Sequence, residues 1–70
     1  MTSLITLSHG SRHPNAVAGI EVLTQRAAAL ADVAHWQCAH LEFNEPDLAT
    51  AAQQLAARGE TEAVVVPLLF

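Results

Sequence analysis

The sequence predicts a single α/β domain with the element order β-α-β-α-β. Three short segments are apolar enough to form buried strands, and the two longer segments between them carry apolar residues at helical spacing. Strands that are apolar throughout are typical of a parallel sheet with helices on both faces. We therefore expect one three-layer α/β domain over residues 1–70, with the carboxyl ends of its strands at a common edge.

The first strand and the first helix are predicted from the amino-terminal third of the chain. Residues 3–8 are apolar and β-branched, and they stop at a loop that contains Gly10. Pro14 suits the first turn of a helix, where a missing N–H is not needed. We expect this helix to end near Ala31 or Asp32. Its expected buried stripe is Val17, Ile20, Leu23, Ala27 and Leu30.

The second half of the predicted fold is a strand, a helix and a strand. Residues 37–43 fit no helical spacing and are expected to form the second strand. Pro46 and Asp47 favour a helix start, and Gly59 lies where a helix carboxyl end favours glycine. The expected apolar stripe of this helix is Leu48, Ala51, Ala52, Leu55 and Ala56. Residues 63–70 are expected to form the third strand.

Charge and composition exclude several classes of partner. The net charge is −4, with three arginines and no lysine, which argues against nucleic acid and against an anionic membrane surface. No apolar run reaches the ~18 residues that span a bilayer, and the amino terminus has no basic leader region. We expect a cytoplasmic protein. Cys38 is the single cysteine, so it is expected to be a small buried apolar residue.

Two features predict that these residues form part of a larger assembly. The sequence ends on the apolar run Leu68-Leu69-Phe70, and a sheet of three parallel strands has edges that another element usually covers. We expect the chain to be an incomplete domain, or to pair with a second chain as a homo-oligomer.

His9 and Glu42 are the main candidates for chemistry. Each follows or ends a predicted strand, and parallel strands bring their carboxyl ends to one edge of the sheet. If the first two strands are neighbours, the two side chains can converge on one ligand. An imidazole and a carboxylate form a partial site for a divalent metal, and they also form an acid–base pair. A metal site would need a further ligand.

The loop after His9 supplies three more candidates. Gly10 and Ser11 favour a loop that approaches a ligand closely before a helix amino terminus. Arg12 can hold a carboxylate or phosphate, and it can equally be a surface residue. The other histidines are expected to be surface or packing residues: His13, His35 and His40.

Three sequence blocks resemble the class II sirohydrochlorin chelatases, which insert cobalt or iron in cobalamin and sirohaem synthesis. The first block is Leu7-Ser8-His9-Gly10-Ser11-Arg12. The second is Leu41-Glu42-Phe43-Asn44-Glu45-Pro46-Asp47-Leu48, and the third is Gly59 followed by Val64-Val65-Val66-Pro67-Leu68-Leu69-Phe70. The order and spacing of the three blocks agree with the family across almost the whole chain.

The resemblance implies a chelatase-type, flavodoxin-like fold and two such units stacked together. It implies that His9 is a metal ligand and catalytic residue, and that Glu42 assists metal binding and takes protons from the pyrroles. Gly10, Ser11 and Arg12 are then expected to bind substrate. The implied substrates are a divalent metal (cobalt, iron or nickel) and a sirohydrochlorin-like tetrapyrrole, with no organic cofactor.

One departure from the family leaves an alternative open. Family members carry a second histidine just beyond the strand with which this sequence ends, so this chain holds two of the three expected site residues. The alternative function is a non-catalytic metal- or tetrapyrrole-binding module, or an assembly half that completes another chain.

Overall fold

Three parallel strands and two helices make up residues 2–68, the part of the chain that the computed structural model describes. In chain order the elements are β1 (Thr2–Ser8), α1 (Pro14–Leu30), β2 (Trp36–His40), α2 (Leu48–Ala57) and β3 (Glu62–Leu68). The predicted α/β class and the β-α-β-α-β order are therefore confirmed.

The sheet has the order β2-β1-β3, so β1 is the central strand. At its carboxyl end Ser8 is in register with His40 on one side and with Leu68 on the other. The expectation that the first two strands are neighbours is confirmed. The loops after β1 and β2 consequently begin side by side.

The two helices pack on opposite faces of the sheet. Successive residues of a strand point to opposite faces; Ile5 packs with Ala51 and Leu55 of α2, whereas Thr6 contacts Thr24 of α1. The α2 face carries the apolar core, which is formed by Ile5, Ala39, Ala51 and Leu55 with Leu7 against it. This is the three-layer arrangement that the apolar strands predict.

The α1 face of the sheet is buried but largely polar. The hydroxyl oxygens of Thr6 and Thr24 lie 2.6 Å apart, and the thiol of Cys38 donates to Thr24 Oγ1 at 3.3 Å. Thr24 in turn donates to the carbonyl of Ile20 at 2.8 Å. The polar atoms are paired with one another, which removes much of the cost of burying them. Cys38 is free and buried, as predicted.

The buried face of α1 differs from the predicted stripe. Thr24 and Ala28 are buried, whereas Leu23 is 49% exposed and Leu30 is 90% exposed. Thr24 lies one turn from both Ile20 and Ala28, so these three share a face. The prediction placed that face by hydrophobicity alone, and it passed over a threonine whose hydroxyl is satisfied inside the protein.

Strand boundaries also differ from the prediction. β2 ends at His40 and does not reach residue 43, because Phe43 has a positive φ of 69° that a regular strand cannot contain. All three strands begin one residue earlier than predicted, at Thr2, Trp36 and Glu62. Residues 69–70 of the predicted third strand lie outside the described residues.

The helix ends follow the sequence signals closely. Pro14 lies in the first turn of α1. Gly59 follows the C-cap residue Arg58 with a φ of +87°, and the N–H groups of Gly59 and Glu60 donate to the carbonyls of Ala56 and Leu55. This is the Schellman pattern for which glycine is preferred. Among residues 2–68, no helix combines the length and apolar character needed to cross a membrane.

Candidate functional site at the carboxyl edge of the sheet

The two loops that follow β1 and β2 are joined by backbone hydrogen bonds. The N–H of Leu41 donates to the carbonyl of Ser8 at 2.9 Å, and the N–H of Glu42 donates to the carbonyl of His9 at 3.0 Å. These bonds join the two loops beyond the end of β2 and make His9 and Glu42 direct neighbours. Both residues are solvent-exposed. The structure thus brings together the two residues that the sequence singles out.

Gly10 makes this close approach possible. Its φ is +89°, and a Cβ atom at this position would overlap the backbone carbonyl of Glu42. Side-chain-bearing residues disfavour such a φ, and the carbonyl leaves no space for a side chain. Glycine is therefore required here by two independent constraints, one local and one between the loops.

Asn44 ties the loops together a second time. Its side-chain Oδ1 accepts from the N–H of Ser11 at 2.6 Å, and its own N–H donates to the carbonyl of Glu42 at 2.8 Å. The amide side chain thus satisfies a backbone donor just before α1 begins. The loop after β2 thus stabilises the loop after β1.

A buried hydrogen bond between Ser8 and His40 lies beneath the two loops. Ser8 Oγ is 2.9 Å from His40 Nδ1, and it also accepts from the N–H of Gly10 at 3.3 Å. Both side chains belong to buried residues at the last register pair of β1 and β2. Burial lowers the pKa of His40, and the nearby charge of Glu21 opposes that shift. The neutral imidazole is thereby favoured under the site.

Arg12 and Phe43 pair across the same two loops. The guanidinium carbon of Arg12 lies 4.6 Å from the centroid of the Phe43 ring, a cation–π distance. Phe43 is 59% exposed although it is a large apolar residue. Both residues line an open depression of about 530 Å³ beside the start of α1.

The loop after β2 ends in a well-formed helix cap. Asp47 Oδ1 accepts from the backbone N–H of Thr50 at 2.8 Å. Hydrogen bonds from Thr50 lower the pKa of Asp47, so the carboxylate stays ionised at the amino end of α2. The N–H of His40 donates to the carbonyl of Pro46 at 2.9 Å and closes the loop. Glu42 lines a second depression of about 620 Å³ within this loop.

The metal-ligating side chains of residues 2–68 do not form a group of three or more. His9 and Glu42 are backbone neighbours at the carboxyl edge. His13 is exposed at the N-cap of α1. At the opposite edge, before β2, His35 Nδ1 lies 2.6 Å from Glu60 Oε1. A metal held by His9 and Glu42 would need its remaining ligands from water, from a bound substrate or from another segment.

Sequence reasoning did not assign a role to several residues that build this edge. They are Ser8, His40, Phe43 and Asn44. Ser8 and His40 could have been paired by aligning the carboxyl ends of the first two strands. The side-chain bond from Asn44 and the positive φ of Phe43 leave no signal in the hydrophobic pattern, because they arise from contact between two loops.

Comparisons with known proteins agree on one family. The CbiX family matches residues 3–70 of this sequence. Among solved structures, the chain is similar to a CbiX protein of Marinobacter aquaeolei VT8 that is proposed to act in cobalamin (vitamin B12) biosynthesis. The two are 26% identical with a TM-score of 0.74, and the match covers 97% of this chain. The chain spans about half of that protein, 55% of its length. Curated proteins give no match.

Proposed function

Because the chain belongs to the CbiX family, we propose that it is a cytoplasmic chelatase that inserts a divalent metal, cobalt or iron, into a sirohydrochlorin-like tetrapyrrole. One observation carries the proposal: an exposed histidine and an exposed carboxylate are backbone neighbours at the carboxyl edge of a parallel sheet, where α/β proteins bind ligands. The similarity to the Marinobacter protein, with its proposed part in cobalamin biosynthesis, also supports this proposal.

His9 is the proposed ligand for the entering metal ion. A neutral imidazole binds the divalent ions of cobalt, iron and nickel, so the residue does not by itself select among them. His9 lies in an exposed loop, where a hydrated ion has access to it. Its backbone is fixed by the bond from Glu42 and by the link from Ser8 to Gly10 on the following residue. The backbone position from which the imidazole extends is therefore fixed before a metal binds.

Glu42 is the proposed second metal contact and the proton acceptor. Insertion of a divalent ion into a tetrapyrrole releases the two protons of the pyrrole N–H groups. A carboxylate beside the metal can accept these protons one after the other and pass each to water. It also offsets part of the charge of the ion before the macrocycle nitrogens do so.

Gly10, Ser11 and Arg12 are the proposed substrate-binding residues. Gly10 allows the loops to approach each other, and Ser11 is held by Asn44. Arg12 offers a positive charge at this edge of a chain whose net charge is −4. A tetrapyrrole with peripheral carboxylates needs such a group for local attraction.

A second candidate function is a non-catalytic metal- or tetrapyrrole-binding module. One observation favours it: His9 and Glu42 are two donors without a third among residues 2–68. Such a module would bind the ion or the macrocycle and would not join them.

The proposal can be tested by following cobalt insertion into sirohydrochlorin by absorbance, without oxygen, against the reaction without protein. We expect the wild-type chain to accelerate insertion, and His9→Ala to lower the rate by about 100-fold or more. Glu42→Gln should also lower it, since the amide cannot accept a proton. His13→Ala is the matched control, because His13 is an exposed histidine on the same loop.

Two results would contradict this proposal, the first for the role of His9 and the second for the reaction. Full activity of His9→Ala would show that His9 is not the metal ligand. Cobalt binding that depends on His9, without insertion into the macrocycle, would instead establish the binding module.

A further inference from the structure

Phe43 occupies a strained turn at the edge of the sheet. Its φ is 69°, and the N–H of Asn44, the next residue, donates to the carbonyl of Glu42, the preceding one, at 2.8 Å. A bond across three residues with a positive central φ is the γ-turn form that is rare and strained. A bulky aromatic residue in this region of φ is an outlier, and such outliers concentrate at binding and catalytic sites.

The position of Phe43 is not explained by burial of its ring. The side chain is 59% exposed, and Leu41, two residues earlier, is 53% exposed. A single exposed apolar side chain is ordinary on a protein surface. Here Leu41 and Phe43 flank Glu42, and Phe43 has a strained backbone conformation. Folding stability does not explain this arrangement.

Phe43 lies between the acidic and the basic parts of this edge. It lines the depression that contains Leu41 and Glu42, and it also lines the depression that contains Ser11 and Arg12. A ligand that contacts the ring can therefore reach Glu42 on one side and Arg12 on the other. Glu21 also lines the second depression and adds a negative charge to its wall.

Arg12 retains free hydrogen-bond donors. Its guanidinium lies over the Phe43 ring, and it forms no salt bridge with any carboxylate of residues 2–68. A guanidinium that stacks on a ring keeps its in-plane N–H groups available, and these match a carboxylate in a two-point contact. The ring thus holds the cation at this edge, where an incoming anion can reach it.

We propose that Phe43 and Arg12 form a recognition subsite for a planar, apolar ligand that carries carboxylates at its periphery. The apolar face of the ligand covers Phe43 and Leu41, and a peripheral carboxylate accepts from Arg12. This inference rests on the proposed function for the identity of the ligand. It adds Phe43 as a residue that contacts the macrocycle and not the metal. In the subsite Phe43 acts with Arg12 as a pair, and strain in the turn is the cost of displaying the ring.

The subsite can be tested by titrating the chain with uroporphyrin, a soluble metal-free porphyrin with peripheral carboxylates, followed by porphyrin fluorescence. Phe43→Gly removes the ring and keeps the turn, because glycine adopts a positive φ without strain. We expect Phe43→Gly and Arg12→Gln each to weaken binding about tenfold. The double variant should lose less than the product of the two, because each partner depends on the other.

Stability and two remote variants provide the controls. Phe43→Gly should unfold at a temperature no lower than the wild type, because the exposed ring adds little burial and its turn is strained. Leu30→Ala removes a 90%-exposed apolar side chain at the end of α1, and Arg58→Gln removes the cation at the C-cap of α2. Both should bind uroporphyrin within about twofold of wild type.

The possible outcomes separate this inference from the proposed function. Unchanged uroporphyrin affinity in Phe43→Gly would overturn the subsite, as would affinity in Arg12→Gln equal to that of wild type. A wild-type chain that binds cobalt through His9 but binds no uroporphyrin would overturn the subsite alone. Failure to bind either probe would overturn both proposals.

Discussion

At the scale of single residues, Gly10 determines whether the two loops can lie together. Replacement by alanine adds a methyl group that overlaps the carbonyl of Glu42, at a φ of +89° that alanine disfavours. We predict that Gly10→Ala lowers the free energy of unfolding by about 2 kcal/mol or more. Denaturant unfolding followed by circular dichroism measures this loss.

Gly19 supplies the matched control for this prediction. It lies within α1, and a Cβ atom there would meet nothing within 4 Å beyond its chain neighbours and the backbone of its own helix. Gly19→Ala should therefore raise the free energy of unfolding by about 0.5–1 kcal/mol through helix propensity. Equal effects of the two substitutions would contradict the account of Gly10.

His40 makes the stability of the protein depend on pH. Burial lowers the pKa of His40 below its unfolded value of 6.5, so between the two values the unfolded chain binds more protons than the folded chain. Stability is then fully present above pH 6.5 and falls as the pH drops below it, by at most about 1.4 kcal/mol per pH unit.

His40→Asn tests this effect, because its side chain retains a polar atom near the position of Nδ1 and does not titrate. Unfolding free energies measured from pH 7.5 to pH 5 should show a shallower decline for this variant. A decline as steep as that of the wild type would show that another group is responsible.

At the scale of elements, α2 packs against the sheet chiefly through the side chain of Leu55. This side chain is 2% exposed and belongs to the core cluster with Ile5 and Ala39. We predict that Leu55→Ala lowers the free energy of unfolding by about 2–5 kcal/mol. Leu30→Ala, at a 90%-exposed position, should change it by less than about 0.5 kcal/mol. A small effect at Leu55 in thermal unfolding would contradict the observed core.

The sequence was sufficient to predict the elements and their order. It was less successful in predicting the buried faces of the helices and the ends of the strands. Spacing located Ala51 and Leu55 because the core on that side is apolar. It was wrong for Leu48, Ala52 and Ala56 of the same predicted stripe, which are exposed. It failed for α1, where the buried face centres on Thr24 and is stabilised by hydroxyl and thiol hydrogen bonds. It also extended β2 too far, because the turn at Phe43 depends on contact with the neighbouring loop.

The candidate site, too, could be predicted only in part from local sequence. His9 and Glu42 could be predicted from strand ends alone, since parallel topology brings those ends to one edge. The contacts that support these two residues could not be predicted in this way. Asn44 bonds to Ser11 across 33 residues of sequence, and His40 bonds to Ser8 across 32. Which side chains satisfy a loop is decided by tertiary contact and not by local composition.

At the scale of the whole molecule, β3 is one of the two edge strands of the described sheet. Val64, Val65 and Val66 are 53%, 42% and 38% exposed, although residues of a parallel sheet are usually covered. We expect the chain to associate with itself through this strand. Val65→Lys should shift the protein toward monomer, because a lysine on an edge strand opposes pairing.

Light scattering during size-exclusion chromatography, over a range of micromolar concentrations, measures this association. The control is Val22→Lys, which adds the same charge at an exposed position of α1. A monomeric wild type, or equal association of all three proteins, would contradict the expectation.

The most direct test of the central claim, that His9 and Glu42 together receive a divalent metal, is an NMR titration with Co²⁺ of protein containing isotope-labelled histidine. The four histidines report separately, so each serves as a control for the others. We predict that the His9 imidazole signals broaden first, at less than one equivalent of Co²⁺, and that Glu42→Gln shifts this broadening to higher Co²⁺ concentration. Broadening that begins at His13, His35 or His40, or that is unchanged in Glu42→Gln, would contradict the account.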